Sequence, residues 1–250
     1  MLFRSLCTDT EVNGAPFYVM AFVDGVVLDS PEKGEVLPQH LRTKASEHLI
    51  DVLADLHAVD IDAVGLGDLA KREGYVERQV KRWSTQWENS KTRELPAIEE
   101  VSRLLSRDIP VQQGVSIAHG DYRFGNVLTD VNEGRVAAVL DWELAHLGDP
   151  MEDLGWLCVK AWRFGSPKPV AGVGDYRELI DAYAAESGLD VDPDVVHWWE
   201  VLGTLKWGIM CIMQAQSHLS GAARSHELAA IGRRVCENEH DLFLALEGRW

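Results

Sequence analysis

Three polar residues in the middle of the chain restrict its fold and chemistry more than any other feature. Asp121 follows a short apolar segment at 115–118, Asn126 comes five residues later, and Asp141 ends the next apolar segment. Residues 127–140 have the pattern of two short strands around an Asn-Glu-Gly turn, which predicts a hairpin. A hairpin would hold the two loops side by side, so we expect these three side chains to converge on one point.

The same residues offer two carboxylates and one amide oxygen as ligands. These are hard ligands, which suit Mg²⁺ far better than zinc or copper. Transfer of a phosphoryl group uses such a set, because the metal neutralises the phosphates while a carboxylate lies beside the attacking hydroxyl. The pattern therefore predicts a magnesium-dependent phosphotransferase site.

Hydrophobic periodicity predicts helices on both sides of this central segment. We expect them at about 38–59, 74–88 and 96–106 before it, and at about 151–163, 175–187, 193–218 and 222–247 after it. Near the N-terminus, aromatic and β-branched residues predict strands at 2–7 and 17–23, separated by a turn at 13–14. The chain is therefore expected to have an α+β fold that is mainly helical.

The net charge of −16 and the hydrophobic content of 46% narrow the function classes. An acidic chain lacks the clustered Lys and Arg that bind phosphate backbones, so no nucleic acid partner is expected. No segment approaches the roughly 18 uninterrupted apolar residues of a membrane helix, and the N-terminus lacks a signal-peptide pattern. The four cysteines are widely spaced, which predicts free thiols in a reducing compartment. We therefore expect a cytoplasmic protein with no membrane partner.

The run HGDYRFGN at 119–126 resembles the catalytic loop of protein kinases, in which Asp is followed after four residues by Asn and later by a metal-binding Asp. Gly120 and the sequence DWE at 141–143 depart from protein kinases and resemble the aminoglycoside phosphotransferase family. The absence of an Ala-Pro-Glu segment after Asp141 also disfavours a protein kinase. Within that family, the segment 140–154 is most similar to the kinase domains of acyl-CoA dehydrogenase family members 10 and 11.

This resemblance implies the protein-kinase-like fold, here mainly its helical C-terminal lobe with a small catalytic hairpin. Residues 1–25 would be a remnant of the N-terminal-lobe sheet together with the hinge. Residues 26–250 would form the helical catalytic lobe. The implied cofactors are ATP and Mg²⁺.

The resemblance also assigns roles to the central residues. Asp121 would be the catalytic base for the substrate hydroxyl, and Asn126 and Asp141 would bind magnesium. Arg123 would either stabilise charge on the transferred phosphoryl group or brace the loop through a salt bridge, and both alternatives stay open.

The adenine ring would bind at the segment 18–25, which resembles the kinase hinge. Its hydrogen bonds would go to the backbone of Ala21 and Val23. Leu128 and Leu140 would form the apolar floor beneath the ring. The alternative for this segment is an ordinary edge strand.

Several neighbouring residues are expected to support the loop. His119 would fix it by hydrogen bonding, and Asp153 would brace it from beneath. His57 is expected to be a core histidine. Asp149 and Pro150 have the pattern of a helix start, with Asp149 as N-cap and Pro150 as the first helical residue.

Kinase-like enzymes grip ATP with a Gly-rich loop, a strand lysine and a helix glutamate that precede the hinge. None of these comes before the segment 18–25, and Lys33 and Lys44 follow it. This predicts weak ATP binding and slow turnover for the chain as written, through truncation of a longer enzyme or through loss of catalysis. It also predicts an exposed apolar strand edge near 17–23, which would favour aggregation or a homodimer.

The expected function is thus ATP- and Mg²⁺-dependent phosphorylation of a hydroxyl on a small molecule. A hydroxyacyl thioester is the first candidate acceptor, on the resemblance alone. The alternative is a non-catalytic or truncated kinase-like binding module, which retention of Asp121, Asn126 and Asp141 opposes.

Overall fold

A computed structural model describes residues 3–247 and confirms a mixed fold that is mainly helical. Within these residues the helices are α1 (Thr10–Asn13), α2 (Pro31–Gly34), α3 (Gln39–His57), α4 (Tyr75–Ser90), α5 (Pro96–Arg107), α6 (Met151–Cys158), α7 (Tyr176–Ser187), α8 (Pro193–Leu219), α9 (His226–Gly232) and α10 (Val235–Leu246). None of the described helices is both long enough and apolar enough to cross a membrane.

The described strands form three separate antiparallel pairs. The pairs are β1 (Phe3–Cys7) with β2 (Phe17–Met20), β3 (Ser116–Ala118) with β6 (His146–Gly148), and β4 (Val127–Asp130) with β5 (Arg135–Val139). The hairpin predicted at 127–140 is therefore present as β4–β5. Its two strands carry the loops that contain the candidate site residues.

Strand β6 was not predicted, and it pairs with β3 rather than with its neighbour in sequence. It has only three residues and includes a histidine and a glycine. Such a short segment carries no alternating apolar pattern that would reveal a strand. Its extended conformation is set by its pairing with β3. The register places Ile117 opposite Leu147, which brings the start of the catalytic loop next to the segment before α6.

The predicted helix at 222–247 is wrong, since the structure contains two helices, α9 and α10. Helix α9 ends at Gly232, where an added Cβ would collide with Ala215 of α8. A glycine there permits the close approach and also ends a helix readily. The helix predicted at 151–163 likewise ends early, at Cys158, and is followed by a short 3₁₀ turn.

The packing of α6 on α8 forms the centre of the core. Leu154, Leu157, Leu202 and Leu205 are at most 2% exposed, and burying each such side chain stabilises the fold by about 1.5–3 kcal/mol. Gly155 allows the two helices to approach closely, because a side chain at this position would overlap the backbone of α8. This packing fixes the position of α6 beneath the catalytic loop.

The β1–β2 hairpin lies apart from this core. Its apolar side chains are exposed, with Phe3 at 63% and Leu6 at 61%. Strand β2 ends at Met20, three residues earlier than predicted, and the following Phe22 is 89% exposed. Leu2, included in the predicted first strand, lies outside the described residues. Exposed apolar side chains are therefore present near 17–23, including Tyr18 and Met20; whether this strand edge favours a homodimer stays a prediction.

Candidate active site

Asp121 and Asn126 are held together by two hydrogen bonds. The side-chain amide of Asn126 donates to the backbone oxygen of Asp121 at 2.9 Å and to its Oδ2 at 2.6 Å. Asn126 is only 5% exposed and lies in a 3₁₀ turn that leads directly into β4. Because its amide nitrogen is committed to Asp121, the remaining oxygen Oδ1 is the atom that could bind a metal ion.

Asp141 is connected to Asn126 through the backbone of the hairpin. The N–H of Leu140 donates to the backbone oxygen of Asn126 at 2.8 Å. Asp141 comes next and has left-handed backbone angles, with φ of 61° and ψ of 59°. A non-glycine residue in this conformation is costly and occurs often at functional sites. Its carboxylate is exposed and has no protein partner among the described residues.

The geometry therefore brings the three predicted residues into adjoining positions. Within residues 3–247 no group of three or more His, Cys, Asp or Glu side chains is placed to hold a metal ion by itself. One carboxylate and one amide oxygen, together with phosphate oxygens of a substrate, would match the way in which proteins commonly bind Mg²⁺.

Asp153 braces the catalytic loop from below, as the sequence predicted. Its Oδ2 accepts a hydrogen bond from the backbone N–H of His119 at 2.6 Å, and its Oδ1 accepts one from Gly120 at 2.9 Å. The side chain is fully buried in the first turn of α6. Unpaired N–H groups at the start of a helix also stabilise a carboxylate there.

A chain of hydrogen bonds continues from Asp153 into the core. His57 Nε2 lies 3.2 Å from Asp153 Oδ2, and its Nδ1 lies 2.7 Å from the hydroxyl of Tyr183. Donation by the tyrosine hydroxyl to Nδ1 leaves Nε2–H to donate to the carboxylate. Burial raises the pKa of Tyr183, and the negative charge of Asp153 raises it further. His57 is a core histidine, as expected.

His119 fixes the loop that contains Asp121. Its Nδ1 accepts from the backbone N–H of Asp121 at 3.3 Å, so Nε2–H is the donor to the backbone oxygen of Leu140 at 2.8 Å. The ring is fully buried. One side chain therefore ties the loop of Asp121 to the end of the strand before Asp141, which agrees with the predicted structural role.

Gly120 is required by the shape of this loop. Its φ is +82°, and a Cβ added there would lie 2.7 Å from the backbone oxygen of Leu144. The glycine that distinguishes this sequence from protein kinases thus permits close contact between two loops.

Arg123 forms an ion pair with Asp121, with Nε 3.1 Å from Oδ1. Its guanidinium also lies over the ring of Trp162, 5.0 Å from the ring centre. This arrangement matches the loop-bracing alternative that the sequence left open. The side chain is 25% exposed, so it is also accessible from the neighbouring cavity.

Sequence reasoning missed the contact between Asp121 and Trp156. The indole Nε1–H of Trp156 donates to Asp121 Oδ1 at 2.7 Å. A signal was available, because Trp156 lies three residues after Asp153 and residues at that spacing share one face of a helix.

The predicted start of α6 is displaced by one residue. The helix begins at Met151, so Pro150 occupies the cap position. The carboxylate of Asp149 nevertheless accepts from the backbone N–H groups of Met151 at 2.9 Å and Gln113 at 2.7 Å. Burial raises the pKa of Asp149 to about 6, although these two hydrogen bonds act in the opposite direction.

A second buried ionic cluster lies on the other side of α6. Lys206 Nζ contacts Glu152 Oε1 at 2.7 Å, and Glu152 Oε2 accepts from the hydroxyl of Tyr75 and lies 3.2 Å from His146 Nε2. Burial disfavours the charged form of Glu152, but Lys206 and His146 outweigh it and hold its pKa far below the usual value. Burial likewise opposes the charged form of His146, yet the hydrogen bond to Glu152 raises its pKa.

The segment predicted to bind adenine lies beside the catalytic hairpin. Val26 and Thr129 exchange two backbone hydrogen bonds of 2.9 Å, and an added Cβ on Gly25 would lie 2.9 Å from Leu128 Cβ. In the part of the chain that the structure describes, the backbone groups of Ala21 and Val23 have no protein partner. Leu128 and Leu140 are half-buried.

A cavity of about 320 Å³ opens next to the catalytic loop. Its walls come from the loop, from the segment before α3 and from the segment after α6. The lining is mainly apolar and includes Leu28, Leu37, Phe124, Trp162, Phe164 and Val173. Its charged members are Glu35, Arg42, Arg123 and Arg163. The volume lies at the lower end of the range for small-molecule sites.

Comparison with known proteins identifies the family and agrees with the fold. The model of the phosphotransferase enzyme family matches residues 3–199. Acyl-CoA dehydrogenase family member 10 of Mus musculus is 29% identical over 233 residues, which cover 88% of this chain and 21% of that protein. Family member 11 of Gallus gallus is 29% identical over 252 residues, covering 94% of this chain and 32% of that protein. The chain thus spans between about a fifth and a third of these relatives.

Two solved structures have the same fold. A Ralstonia eutropha protein described as a candidate aminoglycoside phosphotransferase is 30% identical, with a TM-score of 0.85, and the match covers 98% of this chain and 77% of that one. The GDP complex of aminoglycoside 2′-phosphotransferase-IIIa is 16% identical, with a TM-score of 0.62, and the match covers 96% and 75%. These likenesses confirm both the resemblance and the fold expected from the sequence.

Proposed function

Because this chain belongs to the phosphotransferase enzyme family, we propose that it transfers the γ-phosphoryl group of ATP to a hydroxyl of a small molecule with the help of Mg²⁺. The observation that supports this most directly is the hydrogen-bonded pair of Asp121 and Asn126. The backbone N–H of Leu140 donates to the backbone oxygen of Asn126, and this bond brings the next residue, Asp141, close to the pair. Phosphoryl transfer depends mainly on positioning and charge stabilisation, and this arrangement supplies both.

Asp121 is proposed as the base. The acceptor hydroxyl oxygen would form the new bond to phosphorus, its proton would pass to the Asp121 carboxylate, and the nucleoside diphosphate would leave with the bridging oxygen. Hydrogen bonds from Asn126, Arg123 and Trp156 hold the carboxylate in one orientation. Positioned proton acceptors of this kind contribute about 10²–10⁴-fold to rate.

Asn126 and Asp141 are proposed to hold the magnesium ion. The fit rests on two features of the structure: the amide nitrogen of Asn126 is committed, which leaves its oxygen available, and the Asp141 carboxylate is exposed. Bound magnesium would neutralise charge on the phosphates.

The nucleotide is proposed to lie along the segment 18–25. The contact of Gly25 with Leu128 and the paired backbones of Val26 and Thr129 place this segment against the hairpin, which supports this assignment. A solved structure with the same fold contains GDP, so the nucleotide-binding test includes GTP beside ATP.

The acceptor is proposed to bind in the cavity beside Arg123 and Phe124. Its apolar lining favours a compact, largely apolar hydroxyl compound, and a hydroxyacyl thioester remains the first candidate because of the dehydrogenase relatives.

The proposal can be tested by nucleotide binding and by transfer. Calorimetry should show ATP binding that requires Mg²⁺ and is lost in Asp141→Asn. Phosphate transfer to a panel of hydroxyacyl acceptors should be abolished in Asp121→Asn. Glu133→Gln is a suitable control, because this exposed residue lies in the turn of the same hairpin.

Two results would contradict the proposal. Equal ATP binding with and without Mg²⁺ would remove the assigned role of Asn126 and Asp141. Absence of any nucleotide binding, in a folded sample, would favour the alternative of a binding module.

A further inference from the structure

The indole of Trp156 makes a direct hydrogen bond to the carboxylate proposed as the base. Asp121 Oδ1 accepts from Trp156 Nε1 at 2.7 Å and from Arg123 Nε at 3.1 Å. Oδ2 accepts from Asn126. Trp156 is 3% exposed whereas Arg123 is 25% exposed, so the indole is the better-fixed of the two donors to Oδ1.

Helix α6 carries both Trp156 and the residue that grips the loop backbone. Asp153 binds the N–H groups of His119 and Gly120, and Trp156 follows it on the same helix face. One rigid helix therefore holds the backbone before Asp121 and the side chain of Asp121 itself. A displacement of α6 would move both contacts together.

The indole ring is in turn held from its other side. Lys206 Nζ lies 5.1 Å from the centre of the Trp156 ring and is fixed by Glu152 at 2.7 Å. The ring also packs on Trp162, with centres 5.3 Å apart. A cation over an indole face is favourable, more so when it is desolvated as here. The ring therefore has little freedom to rotate its N–H away from Asp121.

We propose that Trp156 is a positioning residue for Asp121, which fixes the orientation of the carboxylate towards the acceptor hydroxyl. This inference rests on the proposed function, in which Asp121 is the base. An indole N–H is a donor only, so Trp156 orients the carboxylate without taking part in the proton transfer. Small errors in the position of a reacting group cost large factors in rate.

Trp156→Phe tests the inference because it removes the N–H and keeps an aromatic ring beside Lys206. We expect kcat to fall about 10–100-fold. The KM of the acceptor should change less than about threefold, because the indole N–H contacts the base Asp121 and not the acceptor.

Trp83→Phe is the matched control. Trp83 is also a buried tryptophan beside Lys206, with a ring-centre distance of 5.5 Å, but its Nε1 has no hydrogen-bond partner within residues 3–247. The kcat of the Trp83→Phe variant should stay within about twofold of the wild-type value. A wild-type kcat in Trp156→Phe, or an equal loss in both variants, would overturn the inference.

A second measurement does not depend on activity. In protein labelled with ¹⁵N-tryptophan, Asp121→Ala should move the indole proton resonance of Trp156 upfield and leave that of Trp83 in place. An unmoved Trp156 resonance would overturn the inference even if the enzyme is active. Conversely, a wild-type protein without phosphate transfer would refute the proposed function, while the resonance would still decide whether Trp156 holds Asp121.

Discussion

The carboxylate of Asp153 accepts a hydrogen bond from the backbone N–H of His119 at 2.6 Å, across a separation of 34 residues in the chain. This bond joins the first turn of α6 to the start of the catalytic loop. It is completely buried, together with the neighbouring bond from Gly120. The conformation of the loop therefore depends on a residue that need not touch any substrate.

Asp153→Ala should lower the free energy of unfolding by about 2–4 kcal/mol, because it leaves two buried N–H groups and His57 without their acceptor. Denaturant titration of both proteins measures the difference. Asp181→Ala, which changes an exposed aspartate in α7, should stay within about 0.5 kcal/mol. Equal effects of the two substitutions would show that Asp153 does not brace the loop.

Gly120→Ala should be more destabilising than the same change at Gly188. Both glycines have positive φ, but a Cβ at Gly120 would meet the backbone oxygen of Leu144 at 2.7 Å, whereas Gly188 has open space around it. We expect a loss of about 1 kcal/mol at Gly188 from the left-handed backbone alone. The loss at Gly120 should exceed it by at least about 1 kcal/mol. Thermal unfolding monitored by circular dichroism would compare them, and similar losses would rule out the close contact.

Lys206→Met should lower the free energy of unfolding by about 3–5 kcal/mol at neutral pH, because it leaves the buried carboxylate of Glu152 without its cation. The double variant Glu152→Gln, Lys206→Met should recover much of this loss, because both charges are then removed. Lys33→Met is the control, since Lys33 pairs with Asp29 on the surface and should have little effect. A double variant as unstable as the single one would contradict this account.

The loss of unfolding free energy caused by Lys206→Met should also depend on pH. The folded-state pKa of Glu152 lies below its ordinary value of 4.5. Its stabilisation is therefore present above about pH 4.5 and lost as the pH falls towards the folded-state pKa. Urea titrations at several pH values should show the gap between wild type and variant narrowing in acid. A gap that widens there would reverse the assigned sign.

The contribution of Asp149 to the free energy of unfolding should depend on pH in the opposite direction to that of Glu152. Its pKa rises from 3.8 to about 6 on folding, so the folded state binds the proton more tightly than the unfolded state. Its favourable contribution is complete below about pH 3.8 and is lost as the pH rises through about 6. Asp149→Asn cannot titrate, so its free energy of unfolding relative to wild type should increase by roughly 2 kcal/mol between pH 4 and pH 7.

Urea titrations across that range would measure this difference, with Asp181→Asn as the exposed control. A constant difference would mean that the N–H groups of Gln113 and Met151 keep Asp149 ionised in the folded protein.

The sequence predicted most of the regular elements because their signals are local. The apolar periodicity of the long helices and the turn of the β4–β5 hairpin depend on residues near one another in the chain. The short strand β6 and the break between α9 and α10 were not predicted. Strand β6 depends on pairing with β3, and the break after α9 coincides with the close approach of Gly232 to Ala215. In both cases the contact joins segments that are not adjacent in sequence.

For the candidate site, the sequence by itself determined which groups are available: the carboxylates of Asp121 and Asp141, the amide of Asn126 and the brace Asp153. Their types and spacing specify a chemistry, because metal and proton transfer chemistry depends on the kind of atom. Only the tertiary structure decided that Trp156 and Arg123 both donate to the carboxylate of Asp121, and that Lys206 forms an ion pair with Glu152. Such contacts depend on how α6 packs against α8 and the catalytic loop, and packing joins residues that lie far apart in the chain.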